Sequence, residues 1–152
     1  LQTGRELLPA SAVDVQTDGT WVYFVDAATV QAVPLSCVDT ASCPTSAVRL
    51  GDSVAPQSLM DVSGTTLVYT AGGGYGGGGE IRALDLTCLA NPATCTPRPL
   101  LSNAASGAVA PNGAYVVVEG GGTLNSLRVA DGQLSYLSDS NGGLLAKARW
   151  SS

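Results

Sequence analysis

Apolar residues recur along this chain in short runs, each bounded by turn-forming residues. From Ser11 the sequence reads SAVDVQ, TWVYFVD and TVQAVPL, interrupted by TDG and AA. Runs of this length, rich in β-branched and aromatic side chains, predict strands. Asp18 and Gly19 carry hairpin-turn chemistry between the first two. A cysteine-bounded stretch, CVDTASC from Cys37 to Cys43, separates the third run from a fourth short strand over Ser46–Leu50, and Gly51 with Asp52 turns the chain.

The same order then returns. SLMDV, a turn at Ser63 and Gly64, TTLVYTA, a glycine tract and EIRALDL lead into a second cysteine-bounded stretch, CLANPATC from Cys88 to Cys95, with a strand over Arg98–Leu101 behind it. A third unit runs SGAVA, a turn at Pro111, Asn112 and Gly113, AYVVVEG, SLRVA, a turn at Asp131 and Gly132, and QLSYL. It has no cysteines, so a two-residue Asp-Gly turn is predicted to reverse the chain where the other units use a cysteine loop. The turn glycines Gly19, Gly64 and Gly113 lie 45 and 49 residues apart, and Cys37 and Cys88 lie 51 apart. Four strands at that period predict an all-β fold, an arc of about three four-stranded antiparallel β-propeller blades. The expected divisions are the outer strand of a preceding blade over 1–9, blades over 10–55, 56–104 and 105–141, and the inner strand of a following blade over 142–152. Such an arc is expected to be completed by further blades, another copy or a partner chain, because its end faces and sheet edges are otherwise open.

Composition supports this picture and removes several functions. A hydrophobic fraction of 45% with 12% charged residues marks a folded chain, and 19 glycines with 8 prolines fit strands joined by turns. The net charge of −5 and seven scattered Lys and Arg residues disfavour nucleic acid as a partner. No run approaches the roughly 20 apolar residues of a membrane-spanning helix, so no transmembrane segment is expected. The opening residues lack a basic start followed by an apolar core, and the chain reads as though it begins inside a domain. Four cysteines without any histidine, spaced more widely than a CxxC knuckle, favour two local disulfides, Cys37–Cys43 and Cys88–Cys95, over a zinc site. Disulfides imply an oxidising location: extracellular, periplasmic or cell surface.

The segments TDGTWVYFVD, VSGTTLVYTA and PNGAYVVVEG, each a glycine turn followed by a Val/Tyr-rich strand, resemble the second strands of bacterial TolB-like and NHL/YVTN-like β-propellers. The resemblance covers nearly the whole chain and operates at the level of fold. It implies a secreted or envelope-associated module with a binding or scaffolding role, in which cysteine-closed loops between outer strands are common. WD40 propellers are a poorer match, since their Gly-His signature needs a histidine and Trp21 here precedes Val22 rather than Asp.

Candidate contact residues are few. Tyr75 stands alone in the glycine tract 72–79, where it offers a stacking surface to a sugar or a protein partner. The tract lacks the following helix and lysine of a phosphate loop and reads as an exposed connection, with residues 120–122 as its lengthened counterpart in the third unit. Asp14 and Asp61 fall on the first strands of their units, facing the channel of a propeller, with Ala110 nearest in the third unit. Lys147 and Arg149 share one face of the presumed strand near the end of the chain. No metal site or cofactor is expected, since no cluster of carboxylates resembles a calcium loop. Without histidine the usual nucleophile–base arrangements are unavailable. Glu6, Asp14, Asp26, Asp61, Glu80, Asp85 and Glu119 remain as carboxylates from which a glycosidase pair would have to be drawn, and nothing in their spacing brings two together. The expected function is therefore non-catalytic contact with protein or glycan. The alternatives are a subunit that builds a ring or filament by strand-edge pairing, and part of a polysaccharide-active propeller enzyme.

Overall fold

The computed structural model describes residues 8–39, 47–51, 60–72, 79–104, 106–120 and 122–139. Among the described residues twelve strands form three four-stranded sheets, each in sequential order with antiparallel neighbours. The first blade holds β1 (Val13–Thr17), β2 (Trp21–Asp26), β3 (Thr29–Pro34) and β4 (Val48–Gly51). The second holds β5 (Asp61–Ser63), β6 (Thr66–Ala71), β7 (Gly79–Asp85) and β8 (Arg98–Ala104), and the third β9 (Ser106–Val109), β10 (Tyr115–Gly120), β11 (Thr123–Arg128) and β12 (Leu134–Asp139).

One backbone hydrogen bond recurs in all three blades and fixes their equivalence. The residue after the third strand donates its N–H to the residue before the second: Leu35 to Thr20 at 2.8 Å, Leu86 to Thr65 at 2.7 Å, and Val129 to Ala114 at 2.9 Å. Thr20, Thr65 and Ala114 each follow a turn glycine, and Gly19, Gly64 and Gly113 all have positive φ, where a side chain is strained. The glycine spacing visible in the sequence is therefore the true structural repeat.

Strand alternation assigns each face. Val22 and Phe24 of β2 pack with Val33 on the side of the first blade away from the second, joined by Leu8 and Ala12. Tyr23, Val25, Val30, Ala32 and Leu50 face the second blade and meet Met60, Leu67, Tyr69, Ala71 and Leu84 there. Val68, Ile81, Ala83 and Ala104 repeat the arrangement against Val109, Val116, Val118 and Leu127 of the third blade. Two of the three buried clusters thus lie in layers between blades and the third on the free side of the first blade, each on one face of a sheet, as period-2 strands require.

The outermost strand pair is bulged in every blade. Val30 pairs with Gly51 and Gln31 with Arg49, which leaves Leu50 as the extra residue. Leu100 and Leu137 are the extra residues at the corresponding places in β8 and β12. A second bulge in β8 sets Asn103 at φ 60°. Bulges twist an outer strand away from flat pairing and so blunt its open edge.

Three local expectations change. Gly120 pairs with Thr123, so the third blade's β10–β11 connection is a tight two-residue one and not a lengthened loop. The third strand of that blade ends at Arg128, earlier than the predicted Ala130. Four residues, not two, then lead to Gln133, whose carbonyl accepts the Arg128 N–H at 2.9 Å, with Gly132 at φ 72°. Between β2 and β3, Ala27 and Ala28 hold φ of 47° and 60° while Asp26 pairs with Thr29. That is the two-residue geometry that favours Asn-Gly, and alanine there carries a steric cost of about 1–2 kcal/mol per residue. Combining Ala27→Asn with Ala28→Gly is expected to raise the unfolding free energy by about 1 kcal/mol, read from denaturant titration, after glycine's own entropic cost is deducted.

Candidate interaction surface

Because strands alternate in direction, the β1–β2 and β3–β4 connections of each blade emerge at the same end of the arc. This end collects the turns at Gly19, Gly64 and Gly113, the turn over Leu35–Asp39 that carries Cys37, the Cys88–Cys95 loop and the 129–133 loop. The strand ends Ala71 and Gly79, which flank the glycine tract, lie at the opposite end, with Ala27 and Ala28. Tyr75 itself is outside the described residues, as are Lys147, Arg149, Glu6 and Cys43.

Local chemistry shapes each loop. In the first blade the Asp18 carboxylate accepts the N–H groups of Thr20 and Trp21, both at 2.8 Å, and the Tyr23 hydroxyl at 2.6 Å. Partial burial works against the Asp18 charge, yet the Tyr23 hydroxyl and these backbone donors outweigh it and hold the carboxyl below the usual range. Burial and the neighbouring Asp18 in turn push the Tyr23 phenol well above its ordinary value, so it remains a hydrogen-bond donor. Cys37, in a 3-10 turn over Leu35–Asp39, is disulfide-bonded.

In the second blade Asp85 caps the 3-10 turn Leu86–Ala90. It accepts the Thr87 N–H and hydroxyl at 2.9 and 2.8 Å, and these bonds hold its carboxyl below the usual range. The Cys88–Cys95 disulfide is present, with Cα atoms 5.1 Å apart. The third blade closes its loop with an ion pair instead. Arg128 donates to both oxygens of Asp131, at 2.9 and 2.5 Å, and to Gln133 Oε1 at 2.5 Å. That guanidinium, with the Gln133 N–H, brings the Asp131 pKa down to about 2 from 3.8. The pair's contribution is therefore present above the ordinary carboxylate range and is lost as pH falls through about 2. Arg128→Ala is expected to raise the Asp131 titration midpoint, followed by NMR, toward the ordinary carboxylate value, with the Gln133 N–H holding it somewhat below.

Between the second and third blades this end opens into a cleft of about 370 Å³, lined by Thr65, Thr66, Asp85, Thr96, Arg98 and Val129 among others. Arg98 donates to the Val129 carbonyl across the seam, and Ser63 Oγ donates to the Pro111 carbonyl at 2.7 Å. The cleft thus presents threonine hydroxyls, a carboxylate and a guanidinium on strand ends and the adjoining turns. Sequence reading missed it because its walls come from stretches far apart in the chain. The signal that was there is the residue following each turn glycine, which always reaches this end.

Asp14 and Asp61 have a definite place. Asp61 Oδ2 accepts the Val109 N–H at 2.9 Å, and Oδ1 accepts the Val62 N–H at 3.0 Å. Asp14 sits in a β1 bulge at φ 49°, and its Oδ2 accepts the Met60 N–H. Each carboxylate therefore joins its blade to the inner strand of the next. The third-blade counterpart of Asp61 is Ala108 rather than Ala110: Ala108 pairs with Val117 as Asp61 pairs with Val68, because the turn over 111–114 is longer. Removing an acceptor from a buried backbone N–H costs about 1–3 kcal/mol, so Asp61→Ala is expected to lower stability by about 2 kcal/mol in chemical denaturation.

The remaining carboxylates are dispersed. Asp26 accepts the Ser11 hydroxyl at 2.6 Å, Glu80 pairs with Arg82 at 2.6 Å, and Glu119 is buried on the third blade. Among the described residues no group of three or more Cys, Asp and Glu side chains is placed to hold a metal ion, and no helix is long and apolar enough to cross a membrane.

Neither a protein-family model nor a curated protein matches the sequence. Among solved structures the tricorn protease is similar over 86% of this chain and 12% of its own, at 17% identity and a TM-score of 0.60. The N-terminal domain of Nup159 is similar over 84% of this chain and 30% of its own, at 16% identity and a TM-score of 0.54. Kluyveromyces lactis Hsv2 is similar over 86% of this chain and 40% of its own, at 12% identity and a TM-score of 0.55. The chain spans well under half the length of each. These neighbours are β-propeller folds, and identities this low carry the fold alone. By strand order, interblade packing and these likenesses, the chain is an all-β arc of three four-stranded propeller blades.

Proposed function

We propose that the chain is part of a non-catalytic β-propeller binding module, of TolB-like or NHL/YVTN-like type, in a secreted or envelope-associated bacterial protein. It contacts protein or glycan through the loop end. The cleft between the second and third blades carries this reading. Its hydroxyls, Asp85 and Arg98 can exchange hydrogen bonds with sugar hydroxyls or an extended peptide, and the blades hold them in place. The Cys88–Cys95 disulfide supports an oxidising location. Glycan and peptide arrays probed with the purified chain test the proposal. Binding to one class is expected, lost in Thr65→Trp and Thr96→Trp, which fill the cleft from exposed positions, with the melting temperature unchanged. No binding to either array, or binding indifferent to both substitutions, overturns it.

The bulges in β4, β8 and β12 weigh against assembly through outer strand edges. The dispersed carboxylates give no support to a polysaccharide-cleaving site within these blades.

A further inference from the structure

The two seams between blades end differently at the loop end. With Thr20 and Thr65 placed as equivalents by the recurring backbone bond, Trp21 and its partner Pro34 in the first blade correspond to Thr66 and its partner Asp85 in the second. Val48, which pairs with Ala32, corresponds in the same way to Arg98, which pairs with Ala83. In the first seam Trp21 and Val48 pack onto the apolar layer from the first blade. From the second blade Leu86 is buried in that layer, with Cys88, Leu89 and Cys95 of the cysteine loop packed against it. Large apolar groups from both blades therefore fill the end of this seam.

The second seam lacks both halves of that filling. Thr66 and Arg98 stand where Trp21 and Val48 stand, and the third blade brings the short 129–133 loop, without cysteines, where the second brings its cysteine loop. The cleft of about 370 Å³ is the space left between them. That volume lies near the lower end of the roughly 300–1,000 Å³ usual for small-molecule sites. It suits one or two sugar rings better than a folded partner.

The groups that replace the apolar ones are those that recognise a polyol. Asp85 uses Oδ1 for both the Thr87 N–H and the Thr87 hydroxyl, so Oδ2 remains to accept from a ligand. Arg98, anchored through Nη2 on the Val129 carbonyl, has further N–H donors. A carboxylate and a guanidinium lining one cleft match neighbouring sugar hydroxyls, each of which both donates and accepts. Ala83, Val129 and Ala130 add a small apolar surface for the C–H face of a ring. The two charges offset each other within the cleft, and the chain's net charge of −5 disfavours an anionic sugar.

We propose that the cleft is a site for a neutral mono- or disaccharide, with Asp85 and Arg98 holding adjacent hydroxyls. This rests on the cleft being the module's binding surface and narrows its ligand to one class.

Titration of the 152-residue chain with maltose, cellobiose, lactose and diacetylchitobiose, followed by NMR shifts of the Thr65, Thr66 and Val129 amides, tests this. Saturable shifts with at least one sugar are expected. Asp85→Asn keeps Oδ1 for the Thr87 cap but turns the remaining acceptor into a donor, and is expected to weaken binding at least about 10-fold. Thr66→Trp combined with Arg98→Val, which installs the side chains of the first seam, is expected to abolish it, and Asp85→Asn decides alone should that pair disturb the fold. The absence of saturable shifts at millimolar concentrations of all these sugars overturns the proposal. So does binding that Asp85→Asn leaves unchanged, or glucuronate binding as tightly as the neutral sugars. Peptide-array binding blocked by Thr65→Trp alongside such a failure leaves the binding module standing and removes only its sugar, whereas silence on both arrays removes both.

Discussion

Leu50→Ala is expected to cost about 3–4 kcal/mol of unfolding free energy, whereas Leu137→Ala, the same bulge position two blades on, is expected to cost less than about 1 kcal/mol in the 152-residue chain. Leu50 is 2% exposed and closes the layer against Met60, Leu67 and Tyr69. Truncating a buried leucine loses transfer free energy and leaves a void, together about 2–5 kcal/mol. Leu137 is 53% exposed and leaves no void when shortened. Denaturant titrations of the two variants measure the difference directly. Equal costs would mean that the bulge leucines act within their own sheets and not across the seams.

Gly51→Ala is expected to cost about 3 kcal/mol. A Cβ on Gly51 would lie 2.3 Å from the Tyr69 hydroxyl oxygen and 2.9 Å from its ring carbon Cζ. Tyr69 is fully buried in the same interblade layer, so it has little room to retreat. Overpacking a tight core typically costs 1–3 kcal/mol, and this approach is at the severe end. Tyr69→Phe in the Gly51→Ala background should recover part of the loss, because the nearest contact is with the hydroxyl. A thermodynamic cycle over the four proteins reports this as a coupling between residues 51 and 69. Gly19→Ala is the useful contrast: nothing lies within 4 Å of its Cβ, so only its φ of 89° opposes the change.

These two neighbours in β4 show which parts of the fold were legible beforehand. Strand order and chain reversals were, because alternation and turn chemistry act over a few residues. Asp18 with Gly19, Ser63 with Gly64 and Asn112 with Gly113 mark their turns regardless of what packs above them. The Cys88–Cys95 loop was also legible, since seven residues of separation leave little choice of partner. The bulges were not, and they decide whether Leu50 points into a seam.

The candidate site was less legible than the fold. Asp14 and Asp61 lie on the first strands of their blades, but what their carboxylates reach depends on the rotation of one blade against the next. That rotation brings the Met60 and Val109 amides to them from 46 and 48 residues away. The cleft depends on it too, since Thr66 and Val129 share a wall only when two blades sit side by side. By itself the sequence determined the repeat, the four strands of each blade, the glycine turns ahead of each second strand and the Cys88–Cys95 loop, since each follows from local backbone preference and short-range closure. The tertiary structure alone decided which faces meet, which leucines seal them, where the inner acids bond and where a cleft opens, because those are set by sheets packing across long separations in the chain.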